Sequence, residues 1–175
     1  ARPPALAVAL AILASARPPA SAAPPALVMD ASVGADLVDL AEETWEQFLE
    51  AFPARQGCVG AVRLRAQATL GARAAYDPAT QAVTVRVPAT RAMLESALLH
   101  EWAHHLEFHC PAHKALRPAL LAAQRLPPDA PWRPETATSA LSTGSWADTP
   151  SEQYAEAVVA LVLGGRPVPT HAHLT

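Results

Sequence analysis

At 175 residues, with 51% apolar and 17% charged side chains, the chain is long enough to bury a real core and too short for more than one domain. Its formal net charge of −3, with 13 Lys and Arg scattered along the sequence rather than clustered, offers no basic face for nucleic acid and argues against a nucleic-acid partner.

The N-terminus carries Arg2, an apolar run from Ala5 to Ala16, and small residues around Ser21 to Ala23. That order is the order of a secretory signal, so residues 1–23 are expected to direct export and be cleaved, leaving a secreted protein. A membrane anchor is the alternative, but about twelve apolar residues fall short of the roughly twenty that a spanning helix needs. No later run is uninterrupted enough to span, so no membrane span should remain after cleavage. In an oxidising compartment Cys58 and Cys110 would form a disulfide; two buried free thiols are the other reading.

Residues 24–35 read as a Pro- and Ala-rich leader. A first amphipathic helix follows, with Leu37, Leu40, Ala41, Thr44, Trp45, Phe48 and Phe52 at helical spacing, Asp36 as N-cap and Pro53 as stop. Its glutamates, Glu42, Glu43, Glu46 and Glu50, fall on the solvent side. Between Val59 and Val87 the period changes to two, and Asp77-Pro78-Ala79-Thr80 marks a turn, which predicts a three-stranded antiparallel meander. The helical period returns from Thr90 to about His109, with Leu94, Leu98, Leu99, Trp102 and Leu106 for the core. The pattern weakens from Pro111 to Trp146. A third clear helix then runs through SEQYAEAVVALVLGG, with Thr149 as N-cap, Pro150 at the first position and Gly164 past the end. Residues 166–175, with His171 and His173, read as a mobile tail. The fold class expected is α+β.

Chemistry concentrates in the second helix. His100, Glu101 and His104 spell H-E-x-x-H, and two histidines four apart project from one helical face, where both imidazoles can bind one tetrahedral zinc. Glu101 need not be a ligand: it can act as the general base for a water that the metal activates. A catalytic zinc takes three protein ligands. The metzincin extension would need Gly at 107 and His or Asp at 110, where this chain has Glu107 and Cys110. His105 and His109 form another pair four apart, but lie about a hundred degrees round the helix, as groups backing the site or facing solvent.

The third helix supplies a better ligand. Glu152 and Glu156 line up at the edge of its core stripe of Ala155, Val158, Val159 and Val162, where buried carboxylates call for a cation. Glu152 would be the third ligand, with Glu156 hydrogen-bonding the outer nitrogen of a ligating histidine. Thr149-Pro150-Ser151-Glu152 is also a capping box, in which Glu152 would merely cap its own helix.

His100, Glu101, His104, Glu152 and Glu156 together resemble the gluzincins, zinc peptidases with H-E-x-x-H on one helix and a glutamate ligand on a later one. The order of elements is similar to the minimal single-domain versions, the minigluzincins, and His100-Glu101-Trp102-Ala103-His104-His105 followed by TPSEQYAEAVV is similar to small secreted bacterial proteins of uncertain substrate. The resemblance covers roughly Asp36 to Gly164 in arrangement, but only about ten residues in motif. It implies a zincin-like domain over 36–165, one Zn2+ per chain, and a peptide or protein substrate laid as an extra strand along an exposed edge near QAVTVRVP. It also implies a stabiliser of the developing oxyanion, for which Tyr154, His109 and His113 are candidates. The function expected is a secreted zinc-dependent peptidase; the alternative is a secreted zinc-binding module without turnover, in which Glu101 has no task.

Overall fold

The structure is a computed structural model and describes residues 24–133 and 149–164. The segment read as a secretory signal, the expected tail with His171 and His173, and Trp146 lie outside the described residues. Ten elements of regular structure follow in order: β1 (Ala26–Met29), α1 (Ala35–Ala51), α2 (Gln56–Val59), β2 (Ala61–Gln67), β3 (Ala74–Asp77), β4 (Ala82–Arg86), α3 (Arg91–His109), α4 (Pro111–Lys114), α5 (Arg117–Ala123) and α6 (Pro150–Val162). A short 3-10 turn, Pro53–Arg55, separates α1 from α2.

The α+β class stands, but the sheet does not have the expected form. It is mixed and four-stranded, in the order β1-β2-β4-β3. β1 pairs parallel with β2, β2 parallel with β4, and only β3 and β4 form an antiparallel hairpin. The extra strand comes from the segment read as a leader. Its four residues, ALVM, are too few for an alternating pattern to emerge beside Pro24 and Pro25, and pairing with β2 is what makes them a strand. β4 also changes place. Its apolar residues Val83 and Val85 are fully buried, and it sits between β2 and β3 rather than at an edge. The free antiparallel edge is β3.

The hairpin turn is built as its sequence suggests. Asp77 accepts the Ala79 N–H at 2.9 Å and the Thr80 hydroxyl at 2.6 Å, the local side-chain bonding that favours Asp at turns. Gln81 completes the reversal at φ 53°.

The core face of the sheet, with Val62, Leu64, Val83 and Val85, is covered by α1 and α3. Trp102 of α3 stands edge-on to Trp45 of α1 at 5.0 Å and against Phe48 at 5.9 Å, geometries that suit the aromatic quadrupole. α1 starts two residues earlier than expected. Gly34 is its N-cap, and Asp36 sits inside the first turn, where its charge favours the helix dipole. Of the 19 residues of α3, 14 are buried, because the sheet, α1 and α6 surround it. A helix buried on all sides has no solvent face to receive its polar residues, and this decides what its histidines and glutamates can do.

Cys58, on α2, and Cys110, the C-cap of α3, are joined by a disulfide. The bridge closes a loop of 52 residues, for which the loss of unfolded-chain entropy corresponds to about 4 kcal/mol. Reduction, or the Cys58→Ser/Cys110→Ser variant, is expected to lower unfolding free energy by about 3–4 kcal/mol in denaturant titrations. An unchanged midpoint would contradict this.

Candidate metal centre

α3 brings His100 and His104 together because residues four apart lie one turn apart on one face. Their rings are 4.8 Å apart, nearly perpendicular, and the two Nε2 atoms approach to 3.2 Å. α6 packs across this face. Its Glu152 carboxylate lies 3.0 Å from His100 Nε2 through one oxygen and 3.5 Å from His104 Nε2 through the other. Glu156, one turn on, lies 3.1 Å from His100 Nδ1. The three groups His100, His104 and Glu152 could hold a metal ion: one donor atom from each falls within 4.8 Å of the others, with both histidines buried and Glu152 half-buried.

The capping box does not form. Thr149 is the N-cap of α6 but its side chain makes no capping hydrogen bond. The Glu152 N–H goes to the Thr149 carbonyl at 3.0 Å, and its carboxylate is turned to the histidines. The α6 end is otherwise as its sequence indicates: Pro150 occupies the first turn, and Gly164 follows the last at φ 67°, a left-handed conformation suited to glycine.

Electrostatics tie the cluster together. Burial disfavours a charged His100, but hydrogen bonds with Glu152 and Glu156 outweigh it and push the imidazole up to about 9. Burial acts to raise Glu152; hydrogen bonds from His100 and His104, and their charge, instead hold it well below the usual carboxylate range. Glu101 is itself buried, at 8% exposure. Burial raises its pKa, His100 and His104 oppose that, Glu152 adds to it, and the Tyr76 N–H of β3 donates to the carboxylate. A carboxyl with a raised pKa is better matched to taking a proton near neutral pH.

These shifts fix the sign of a pH response in the metal-free protein. His100, raised in the fold, stabilises fully below pH 6.5 and loses that contribution as pH rises through about 9. His105 is lowered to about 4, chiefly by burial; its neutral form is favoured, so stability is lost as pH falls from 6.5 through about 4. Thermal melts of the stripped protein are therefore expected to peak near pH 6.5. The alkaline arm should vanish when an ion replaces the His100 proton; an identical pH profile with and without metal would contradict this.

His105 and His109 neither face solvent freely nor touch the metal-binding groups. His105 is fully buried, because the side of α3 a hundred degrees from the metal face meets β3 and α2. Its Nε2–H donates to the Val59 carbonyl at 2.9 Å. A neutral ring then has an acceptor at Nδ1, so the Tyr76 hydroxyl donates there at 2.9 Å and accepts from His109 Nε2–H at 3.1 Å. One carbonyl thus orients the whole chain His109, Tyr76, His105, Val59. Tyr76 therefore braces β3 through its hydroxyl while its backbone holds Glu101. No sequence pattern pointed to it, since a tyrosine in a four-residue strand has no distinguishing spacing.

Of the candidates for oxyanion stabiliser, only His109 has a hydrogen-bond partner; the Tyr154 hydroxyl and both His113 ring nitrogens are buried with none among the described residues. His109 is held by Tyr76. Tyr154 projects about 200° round α6 from Glu152 and packs against His113 at 5.9 Å and Trp132 at 6.0 Å. Glu107, at the position where the metzincin pattern wants glycine, is buried between Arg117 and Arg133. Arg133 lies over the Phe108 ring at 4.1 Å and Arg117 over Trp132 at 5.0 Å, so this cluster anchors the segment after α5 to α3.

Compared with protein-family models, with curated proteins and with solved structures, the chain matches none of them.

Proposed function

We propose that this protein is a zinc-dependent peptidase of gluzincin type, with His100, His104 and Glu152 as ligands and Glu101 as general base. One observation carries the reading: the separations of the three donor atoms. Tetrahedral bonds of 2.0–2.1 Å place ligand atoms about 3.3 Å apart; here the two Nε2 atoms stand 3.2 Å apart, one Glu152 oxygen lies 3.0 Å from His100 Nε2 and the other 3.5 Å from His104 Nε2, and one donor atom from each residue falls within 4.8 Å of the others. Two imidazoles and one carboxylate leave a fourth position open, the donor set of a catalytic rather than a structural zinc.

The residues divide the work. Glu156 accepts the His100 Nδ1–H, which fixes the tautomer that presents a lone pair at Nε2. Glu152 supplies negative charge and His104 the second nitrogen. The ion would act as a Lewis acid, polarising the scissile carbonyl and making water acidic enough to be deprotonated at neutral pH. Glu101, beside both histidines, takes a proton from the attacking water and delivers it to the leaving amine nitrogen as the C–N bond breaks.

A peptide has a place to bind. Arg86 N–H donates to the Arg73 carbonyl at 2.8 Å, and in an antiparallel pair the alternation then turns the N–H and C=O of Ala74 and Tyr76 away from β4. Tyr76 already gives its N–H to Glu101, so Ala74 offers the open groups to which an extended substrate adds. Export agrees with the disulfide, which suits an oxidising compartment, and among the described residues no helix is long and apolar enough to cross a membrane.

The test is digestion of a peptide library by zinc-loaded protein, with new termini read by mass spectrometry. Cleavage that stops on chelation is expected. A fully loaded protein that cleaves nothing would overturn the peptidase and leave a zinc-binding module.

A further inference from the structure

The arginines scattered in the sequence are gathered by the sheet. Alternation turns Val62, Leu64 and Ala66 of β2 into the core and Arg63 and Arg65 to the opposite face. Arg86 of β4 lies on that same face, next to Gln67 of β2 in register, and Arg73 stands beside Arg86 at the start of the hairpin. The helices that cover the sheet lie on its other side. Between the arginines lie the uncharged side chains Gln67, Thr84 and Ala75. Arg86 also donates through Nη1 to the Leu70 carbonyl at 3.5 Å, and among the described residues two acidic residues adjoin the patch. Asp30 is 3.8 Å from Arg65, and Asp77 is occupied by Thr80 and Ala79. Against this, α1 carries six acidic residues, Asp36, Asp39, Glu42, Glu43, Glu46 and Glu50, and no basic one. The molecule is electrically two-sided.

We infer that the outer face of the sheet docks a short acidic polypeptide segment in extended conformation. Arg63 and Arg65 are about 7 Å apart along β2, and the stripe from Arg63 to Arg86 is about 14 Å long, given strand rise and spacing. That is the length of four or five extended residues, with carboxylates on alternate positions matched to guanidiniums. Every cation of the stripe is arginine, whose planar fork pairs with carboxylates bidentately. The surroundings disfavour longer polyanions: a nucleic acid running past the stripe would meet a surface that is acidic on balance, and among the described residues the face has no aromatic ring to stack a base. A membrane would find Val28, 39% exposed, as the one large apolar side chain beside the arginines among the described residues. This inference does not rest on the peptidase reading, because it is measured as binding and uses no residue of the metal centre.

Fluorescence anisotropy of labelled hexaglutamate with the full chain tests it. Saturable binding at low salt is expected, weakened at least about tenfold at 1 M salt. Arg63→Glu/Arg86→Glu should weaken it at least about tenfold at low salt, and Arg63→Ala/Arg86→Ala less, while Arg125→Glu, an exposed arginine away from the sheet, leaves it unchanged. Glu101→Gln should bind as the wild type does, whatever the outcome of the peptide digests. Absence of saturable binding, or equal weakening by Arg125→Glu, would overturn the assignment. So would tighter binding of a single-stranded oligonucleotide of equal charge or of anionic vesicles, which would give the face to nucleic acid or membrane.

Discussion

Glu101→Gln is expected to keep its metal and to lose peptide hydrolysis by roughly 10²–10⁴-fold, the usual worth of a positioned general base. The substitution preserves size and leaves an oxygen that can still accept the Tyr76 N–H, so β3 and α3 should not move. What disappears is the basic lone pair. Burial sharpens the effect: at 8% exposure the position is largely shielded from solvent bases that could replace the missing carboxylate. Initial rates on a cleaved peptide and elemental analysis of the same sample check both halves. Undiminished turnover would refute the base; loss of metal together with turnover would mean that Glu101 holds the site instead of serving it.

The two glutamates of α6 should respond very differently to the same change. Glu152→Gln removes the only anionic donor from a set of two imidazoles and one carboxylate, and a neutral amide oxygen is a far poorer zinc ligand, so affinity should fall severely. It also leaves His100 and His104 without the charge that Glu152 brings to them. Glu156→Gln can still accept the His100 Nδ1–H through its amide oxygen, and should lose only about 10–100-fold in affinity or activity, as outer hydrogen-bond partners of metal ligands do. Competition with a chromophoric chelator measures both. Equal losses in the two variants would contradict the division of roles, and a Glu152→Gln protein of wild-type affinity would remove the third ligand.

The parts of this arrangement that were legible in the sequence are those set by local geometry. Residues four apart on a helix share a face wherever the helix goes, so His100 with His104 and Glu152 with Glu156 could be paired before their helices were placed. The Asp77 turn and the glycine after α6 are local in the same sense. Strand order is not local. The apolar run of β4 reads equally as an edge or a central strand, and only its parallel pairing with β2, which leaves β3 at the edge, shows how the sheet is filled. The same limit applied to His105 and His109, whose spacing is identical to that of the metal pair. What separates the pairs is the neighbour each one meets, α6 with two carboxylates or β3 with Tyr76. Glu107 with Arg117 and Arg133, and the arginine face of the sheet, likewise exist only once distant segments are folded together.

Calorimetric titration of the metal-stripped protein with Zn2+, for wild type and for His100→Ala/His104→Ala side by side, tests the centre most directly. One ion per wild-type chain is expected, bound tightly and with at least about one proton released per ion near pH 7.5, because the ion displaces the proton that Glu152 and Glu156 favour on His100. No tight binding is expected in the double variant. Wild-type stoichiometry and affinity without these two histidines would contradict the assignment of this centre.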